Sequence, residues 1–332
     1  FPNSITSVVI HEKAELISKS YNLSELRSLI NHIDFIGFRS VSLLNSFEKS
    51  YFKVENSFIN YSGIPNYFLL GPPKRNFNNK SLNIIFVGQF IKRKYPSIIL
   101  DSIFGISENI NKIKYIGSGS EEINIRNSAL DLGLHKKIEI INDIPRTSII
   151  DYYDEADLFI MISKGEAYGL VYLEAMSRGC ITIGSINEGI DGVIVDGFNG
   201  FLAKAGDSKS LSNTISKISQ LSNTEIRTIQ QNAINTSRKY TDETTSLDYL
   251  NKFSLNIFVI YRIGIYLILF LIIYFLLVLL IKGNNCDSNT PHNIKKQPNK
   301  LLISRTWSSK NQAAIVAKTP SKEKIIAAGA GN

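Results

Sequence analysis

The sequence predicts an α/β protein whose parallel sheets are covered on both faces by helices. Three observations carry that reading. Short apolar runs rich in Ile, Val and Phe alternate with longer stretches of helical periodicity, and that order favours parallel strands with crossover helices. Several of the short runs end in glycine, as strands do where they turn towards a ligand. The chain has 332 residues, 44% hydrophobic and 20% charged, which is enough apolar material for two domains and excludes a disordered or fibrous protein.

The elements follow in order. Ser7–Ile10 reads as a short buried strand and Leu23–Ile30 as a helix with Ser24 as N-cap. Phe35–Phe38 is a strand, Val41–Phe47 a helix and Ser57–Tyr61 a strand. Tyr67–Ser81 contains Gly71, Pro72, Pro73 and three Asn, a linker composition. Asn83–Gly88 is a strand, Pro96–Phe104 a helix and Lys112–Ile116 a strand before Gly117-Ser118-Gly119. Ile138–Ile141 and Leu158–Ile162 are strands, Leu170–Arg178 a helix, Ile181–Ile183 a strand and Ser208–Leu221 a helix.

Two cysteines exclude a disulfide scaffold and a cysteine-based zinc site. The formal charge of +8 is concentrated in residues 282–332, which hold nine Lys/Arg and two Asp/Glu. The remainder carries about +1, too little for a nucleic-acid-binding domain. Ile263–Ile281 holds 19 residues without a charge. A helix of that length spans about 28 Å, close to the hydrocarbon thickness of a bilayer. A transmembrane helix is therefore expected within 254–282, followed by a basic, disordered tail at 283–332.

Ligands of parallel sheets sit beyond the carboxyl ends of the strands. That rule singles out the loops after Val87, Ile116, Ile162 and Ile183. After Ile162 comes Ser163-Lys164-Gly165-Glu166-Ala167-Tyr168-Gly169-Leu170, then a helix carrying Glu174. One carboxylate can accept two hydrogen bonds, which suits the vicinal hydroxyls of a sugar or ribose. Gly169 permits a tight turn into the helix, whose first N–H groups favour an acceptor. After Val87 come Gly88 and the cations Lys92, Arg93 and Lys94, which suit a diphosphate. Taken singly, these are a surface carboxylate, a turn and a solvated face; only together do they point to a ligand. His32, His135 and His292 belong to no constellation.

These segments resemble a family. GEAYGLVYLEAMSRG, with seven residues between Glu166 and Glu174, is similar to the signature of family 4 retaining glycosyltransferases. VGQFIKRK resembles that family's phosphate-binding segment, YIGSGSE its Gly-rich turn, YYDEADLFIMIS the strand before the motif and INEGIDGVIVDGFNGFL the segment after it. The resemblance covers roughly residues 1–253 and is strong from 83 to 206.

It implies the GT-B fold, two facing Rossmann-like domains. Residues 1–79 would be an incomplete acceptor-side domain with linker, and 80–253 the nucleotide-sugar-binding domain. The family's early strands and acceptor loop would precede Phe1, and Ser246–Phe253 would end the helix that crosses back to the first domain. As the resemblance implies, Glu166 would contact donor-sugar hydroxyls, Lys94 would neutralise the leaving diphosphate and His11 would face the donor sugar. Gly88, Arg93, Gly117, Tyr168, Gly169, Leu170 and Glu174 would surround the donor, Glu174 holding the ribose. Gln89 stands where the family usually has Arg. No metal and no cofactor are expected beyond the nucleoside-diphosphate sugar.

The activity so implied is transfer of a hexose, with retention, to a glycan or lipid-linked glycan in cell-surface polysaccharide synthesis. The protein would be membrane-attached with its catalytic part on the cytoplasmic side. A truncated, inactive nucleotide-sugar-binding protein is the alternative. A nicotinamide oxidoreductase is disfavoured, because no strand-linked GxGxxG with a later acidic residue is present.

Overall fold

The computed structural model describes residues 6–71, 77, 81–142 and 144–253. The expected transmembrane helix at Ile263–Ile281, the tail 283–332 and the boundary at 79/80 lie outside the described residues. Among the described residues, no helix is long and apolar enough to cross a membrane.

The first lobe is a three-stranded parallel sheet in sequential order: β1 (Ser7–Ile10), β2 (Phe35–Phe38) and β3 (Ser57–Ile59). The crossovers carry α1 (Ala14–Ile17), α2 (Leu23–Ile30) and α3 (Val41–Ser50). Leu26, Ile36, Phe38, Leu43, Phe47 and Val54 form its core. The cap of α2 is Asn22, not Ser24. Asn22 Oδ1 accepts from the Glu25 N–H at 2.9 Å, the Glu25 carboxylate accepts from the Asn22 N–H at 3.1 Å, and Ser24 Oγ merely supports Asn22. An acceptor three residues before a Glu completes a reciprocal box, which Ser24 does not have. Ser40 caps α3 by accepting from the Leu43 N–H.

The second lobe is a six-stranded parallel sheet. Its strands are β4 (Leu82–Val87), β5 (Ile110–Ile116), β6 (Ile138–Ile141), β7 (Leu158–Ile160), β8 (Ile181–Ser185) and β9 (Phe201–Ala203). The spatial order is β6-β5-β4-β7-β8-β9. Every described pairing is parallel, from Phe86↔Tyr115 to Gly184↔Leu202. The order reverses between β4 and β7, and the carboxyl ends of those two strands therefore frame the crevice of the sheet.

The helices of this lobe are α4 (Ile98–Ile103), α5 (Glu122–Asp131), α6 (Ile149–Glu155), α7 (Leu170–Ser177), α8 (Ser208–Ser219) and α9 (Asn223–Ser237). The sequence reading has no place for α5, α6, α9 or β9. The Phe201–Ala203 strand is three residues long, and α5 has little segregation of apolar residues, with only Ile125 and Ala129 buried. Short length and weak periodicity remove the signals by which such elements are read. In contrast α7 is buried from Tyr172 to Ser177, so it has no polar face.

Two passages of the chain join the lobes, and they are bonded to each other. Ile64 N–H donates to the Tyr240 carbonyl at 2.9 Å and Asp242 N–H donates to the Ile64 carbonyl at 3.0 Å. The outgoing passage begins as a 3-10 turn, Asn66–Leu69, with Phe68 fully buried. Buried Arg178, at the end of α7, holds that turn. Its guanidinium donates to the carbonyls of Phe68 and Leu70 at 3.0 Å and pairs twice with Asp154 at 2.8 Å. The returning passage is helical over 242–253 and packs on the first sheet. Phe253 meets Phe35 and Phe58 edge to face, Tyr249 lies within 3.3 Å of Ser7 Oγ, and Lys252 Nζ donates to the Ile59 carbonyl at 2.7 Å. The expected crossing of Ser246–Phe253 back to the first domain is what the structure contains.

Candidate active site

The loops after β4 and β7 meet over the crevice. Lys164 N–H donates to the Arg93 carbonyl at 2.8 Å, fixing one loop on the other. Glu166 projects from the β7 loop, with Arg93 Nη1 at 3.3 Å and Lys94 Nζ at 3.7 Å from its Oε2. The Glu166 and Lys94 side chains are only 14% and 13% exposed, so the charges interact in a partly desolvated site. Burial pulls the Lys94 pKa below its ordinary value, and Glu166 opposes that pull. A second anion entering beside Lys94 would find a cation already stripped of much of its water.

The glycines of these loops serve the approach of one backbone to another. A Cβ on Gly117 would stand 2.1 Å from the Gly88 carbonyl oxygen, and one on Gly119 would stand 2.4 Å from that of Phe90. Both glycines have positive φ, 137° and 153°. The adjoining bonds, Gly88 N–H to Ile116 O and Phe90 N–H to Ser118 O, interlock the loops after β4 and β5. Gly117 thus shapes the crevice by letting two loops touch. Gly88 is the position that faces the cation, since a Cβ there would lie 3.0 Å from Lys94 Nζ.

Gly169 adopts φ 83° and opens α7 at Leu170. Glu174 lies one turn on, 4% exposed, and its two oxygens have different partners. Arg146 Nη2 donates to Oε1 at 2.7 Å and the Tyr153 hydroxyl to Oε2 at 3.2 Å. Burial and the Glu174 charge push the Tyr153 phenol well above its usual pKa, so it stays a donor. Glu166 and Glu174 therefore have separate cation partners, Arg93 and Lys94 for one and Arg146 for the other. Arg146 and Tyr153 escaped the sequence reading; Arg146 follows Pro145 in the loop after β6, and only its neighbours in space reveal it.

The loop after β8 closes the site from the first lobe's side. Glu188 Oε2 accepts from the Glu166 N–H at 3.0 Å and receives Lys13 Nζ at 2.6 Å. Ser42 Oγ donates to the Asn187 carbonyl at 2.6 Å. Beside these contacts is a cavity of about 590 Å³ lined by Lys13, Asn45, Lys49, Asn187, Asp191 and Gly192 among others. Tyr168 lies in the β7 loop against the Tyr61 ring, with centroids 5.6 Å apart.

His11 follows β1, as expected for a group at a strand end, but its partner belongs to its own lobe. Arg39 Nε donates to His11 Nδ1 at 3.1 Å. Burial, and then the Arg39 charge, lower the His11 pKa, with Glu12 acting the other way. Among the described residues no three His, Cys, Asp or Glu side chains converge as a metal-ligand set.

Residues 72–236 match the family model of glycosyl transferases group 1. The matched segment holds β4, β7, Glu166, Glu174 and the cationic loop. Among curated proteins, the chain is 26% identical over 184 residues to an uncharacterized glycosyltransferase of Methanocaldococcus jannaschii, covering 55% of this chain and 49% of that one. It is 25% identical over 154 residues to the amylovoran biosynthesis glycosyltransferase AmsK of Erwinia amylovora, covering 44% and 38%. The chain thus spans about half, or less, of the length of these relatives. Among solved structures, it resembles HepE of Anabaena in complex with UDP and glucose, with TM-score 0.62, 17% identity and coverage of 75% of this chain and 71% of that one. Sucrose-phosphate synthase of Thermosynechococcus elongatus gives TM-score 0.64 at 18% identity, covering 76% and 68%. The fold is GT-B-like, with two parallel α/β lobes facing one another.

Proposed function

We propose that this protein is a retaining glycosyltransferase that moves a hexose from a nucleoside-diphosphate sugar to a glycan or lipid-linked glycan. One observation carries the reading. Glu166 stands with Lys94 and Arg93 where the strand order reverses, so a carboxylate for sugar hydroxyls adjoins cations for a diphosphate. HepE of Anabaena was solved with UDP and glucose, which supports the same ligand class here.

The steps follow from the residues. The diphosphate lies against Lys94 and Arg93 at the Gly88 turn, and these charges stabilise it as it leaves. Glu166, released from those cations by the incoming phosphates, accepts hydrogen bonds from the sugar hydroxyls and supports the positive charge that develops at the anomeric carbon. Glu174 accepts from the ribose hydroxyls, in place of or beside Arg146. The acceptor hydroxyl attacks the face that the nucleotide leaves, and a donor phosphate oxygen takes its proton. The anomeric carbon–oxygen bond to phosphate breaks as the glycosidic bond forms, and no side-chain nucleophile or metal takes part.

Cell-surface polysaccharide synthesis is the proposed setting, supported by the amylovoran relative and by a lipopolysaccharide core biosynthesis relative from Rhizobium meliloti. Attachment to a membrane through Ile263–Ile281, with the lobes on the cytoplasmic side where nucleotide sugars occur, completes the proposal. Titration calorimetry of UDP and GDP against the full chain, with Glu174→Ala as control, tests the donor site. Saturable binding weakened by the substitution is expected; no binding of either nucleotide at millimolar concentration rejects the reading.

A further inference from the structure

Arg39 is the first residue after β2, at the carboxyl end of the first sheet. Its guanidinium is half-buried and lowered in pKa by that burial. Its hydrogen-bond partners among the described residues are neutral: His11 at 3.1 Å, Ser62 Oγ at 2.9 Å and the Asn60 carbonyl at 3.4 Å. No carboxylate of the described residues lies within ion-pair distance of it. Those partners also follow strands, His11 after β1 and Asn60 and Ser62 after β3, so the group sits where the first lobe's loops converge on the cleft. A cation that has given up water without gaining a counter-ion is costly, and an entering oxyanion removes that cost.

A second observation comes from the opposite lobe. The Tyr168 hydroxyl is buried, its residue only 5% exposed, and it has no hydrogen-bond partner among the described residues. It is close enough to Arg39 to feel the guanidinium charge. Buried hydroxyls are nearly always hydrogen-bonded, so one left open beside an uncompensated cation is a donor awaiting an acceptor.

We propose that Arg39, with His11 and Ser62 beside it and Tyr168 across the cleft, forms an oxyanion subsite for the acceptor, which takes a carboxylate or phosphate that the acceptor carries. This deepens the proposed transfer reaction and rests on it for the word acceptor. The binding of an anion does not. Arg presents a planar fork that matches both groups. An anion seated there also stabilises protonated His11, which would then add a donor of its own.

The test uses the full chain saturated with UDP. Inorganic phosphate, glucuronate and glucose are titrated separately, and the His11 ring carbon resonances are followed by NMR, assigned with His11→Ala. Saturable shifts with phosphate or glucuronate, none with glucose, and at least a tenfold loss of affinity in Arg39→Gln are expected. Whichever anion binds more tightly identifies the source, a phosphorylated acceptor or a uronic acid. Unchanged UDP affinity in Arg39→Gln shows that the variant folds and that the site is separate from the donor's. The proposal is overturned if neither anion shifts His11, if Arg39→Gln responds like the parent chain, or if UDP displaces the anion. An Arg39-dependent anion response in a chain that fails to bind UDP would support the subsite and reject only the donor reading.

Discussion

Lys13 and Glu188 meet at 2.6 Å, and the carboxylate oxygen that receives the ammonium also accepts the backbone N–H of Glu166 at 3.0 Å. One oxygen atom thus ties the first lobe to the loop that carries the proposed catalytic carboxylate. The Lys13 and Glu188 side chains are 16% and 9% exposed, so removal of the acid leaves a largely buried charge. Glu188→Ala should cost about 3 kcal/mol, within the range for breaking a buried pair. The double variant with Lys13→Ala should recover part of that loss. Urea unfolding of the four chains measures the coupling, and strictly additive losses would contradict the linkage.

Gly117→Ala should be among the more damaging single substitutions. It brings a methyl to 2.1 Å from the Gly88 carbonyl oxygen in a backbone conformation of φ 137°. Strain and overpacking each cost about 1–3 kcal/mol. Gly105→Ala is the control, since a Cβ there meets nothing within 4 Å. Thermal melts of both variants should separate clearly, with Gly105→Ala near the parent.

Arg178→Met should loosen the passage between the lobes. The guanidinium satisfies the carbonyls of Phe68 and Leu70 and both oxygens of Asp154. An apolar replacement leaves these acceptors without that donor, at a cost of about 3–5 kcal/mol. Amide exchange should rise at Asn66–Leu70 before it rises in the β4 sheet; equal rises throughout would contradict the local role.

In the proposed site, Lys94 should set the alkaline limit of donor binding. Its pKa lies below the ordinary 10.5 because burial penalises the ammonium. The charge proposed to hold the diphosphate is therefore lost at a lower pH than an exposed lysine would lose it. UDP affinity measured from pH 7 to 11 should fall with a midpoint below 10.5. In Lys94→Ala that step should vanish, and affinity at pH 7 should be lower by about tenfold, the effect of one charge-assisted contact. A midpoint at or above the ordinary value would contradict the assignment.

His11 gives the acid-side counterpart. Its folded-state pKa lies below 6.5, so the unfolded chain takes up the proton first as pH falls. The contribution to stability is complete above about pH 6.5 and declines below it until the folded-state pKa is reached. Arg39→Gln should raise the His11 pKa in an NMR titration, because one of the two lowering influences is removed.

Much of this was legible before the fold was known. Glu166, Lys94 and Gly88 sit in loops that follow Ile-rich strands, and the strand-end rule finds such loops directly. Glu188 lies in the loop after β8 with no local mark of its role, because its partners Lys13 and the Glu166 N–H are distant in sequence. Arg178 sits at the end of a helix with nothing to mark it, and its role depends on carbonyls more than 100 residues away. The open side of Gly88 faces the Lys94 ammonium. At Gly117 the corresponding space is filled by the Gly88 carbonyl of the neighbouring loop, which no local sequence signal reveals.

The bonding of Ile64 to Tyr240 and Asp242 has a mechanical consequence. Both strands of chain that pass between the lobes are stapled together at one point, and Gly63 is pressed against Thr241 there so closely that a Cβ would stand 2.1 Å from its carbonyl carbon. Two tethers joined at a single spot act as a pivot. Any opening or closing of the cleft should therefore proceed by rotation about Ile64 rather than by sliding of one lobe past the other.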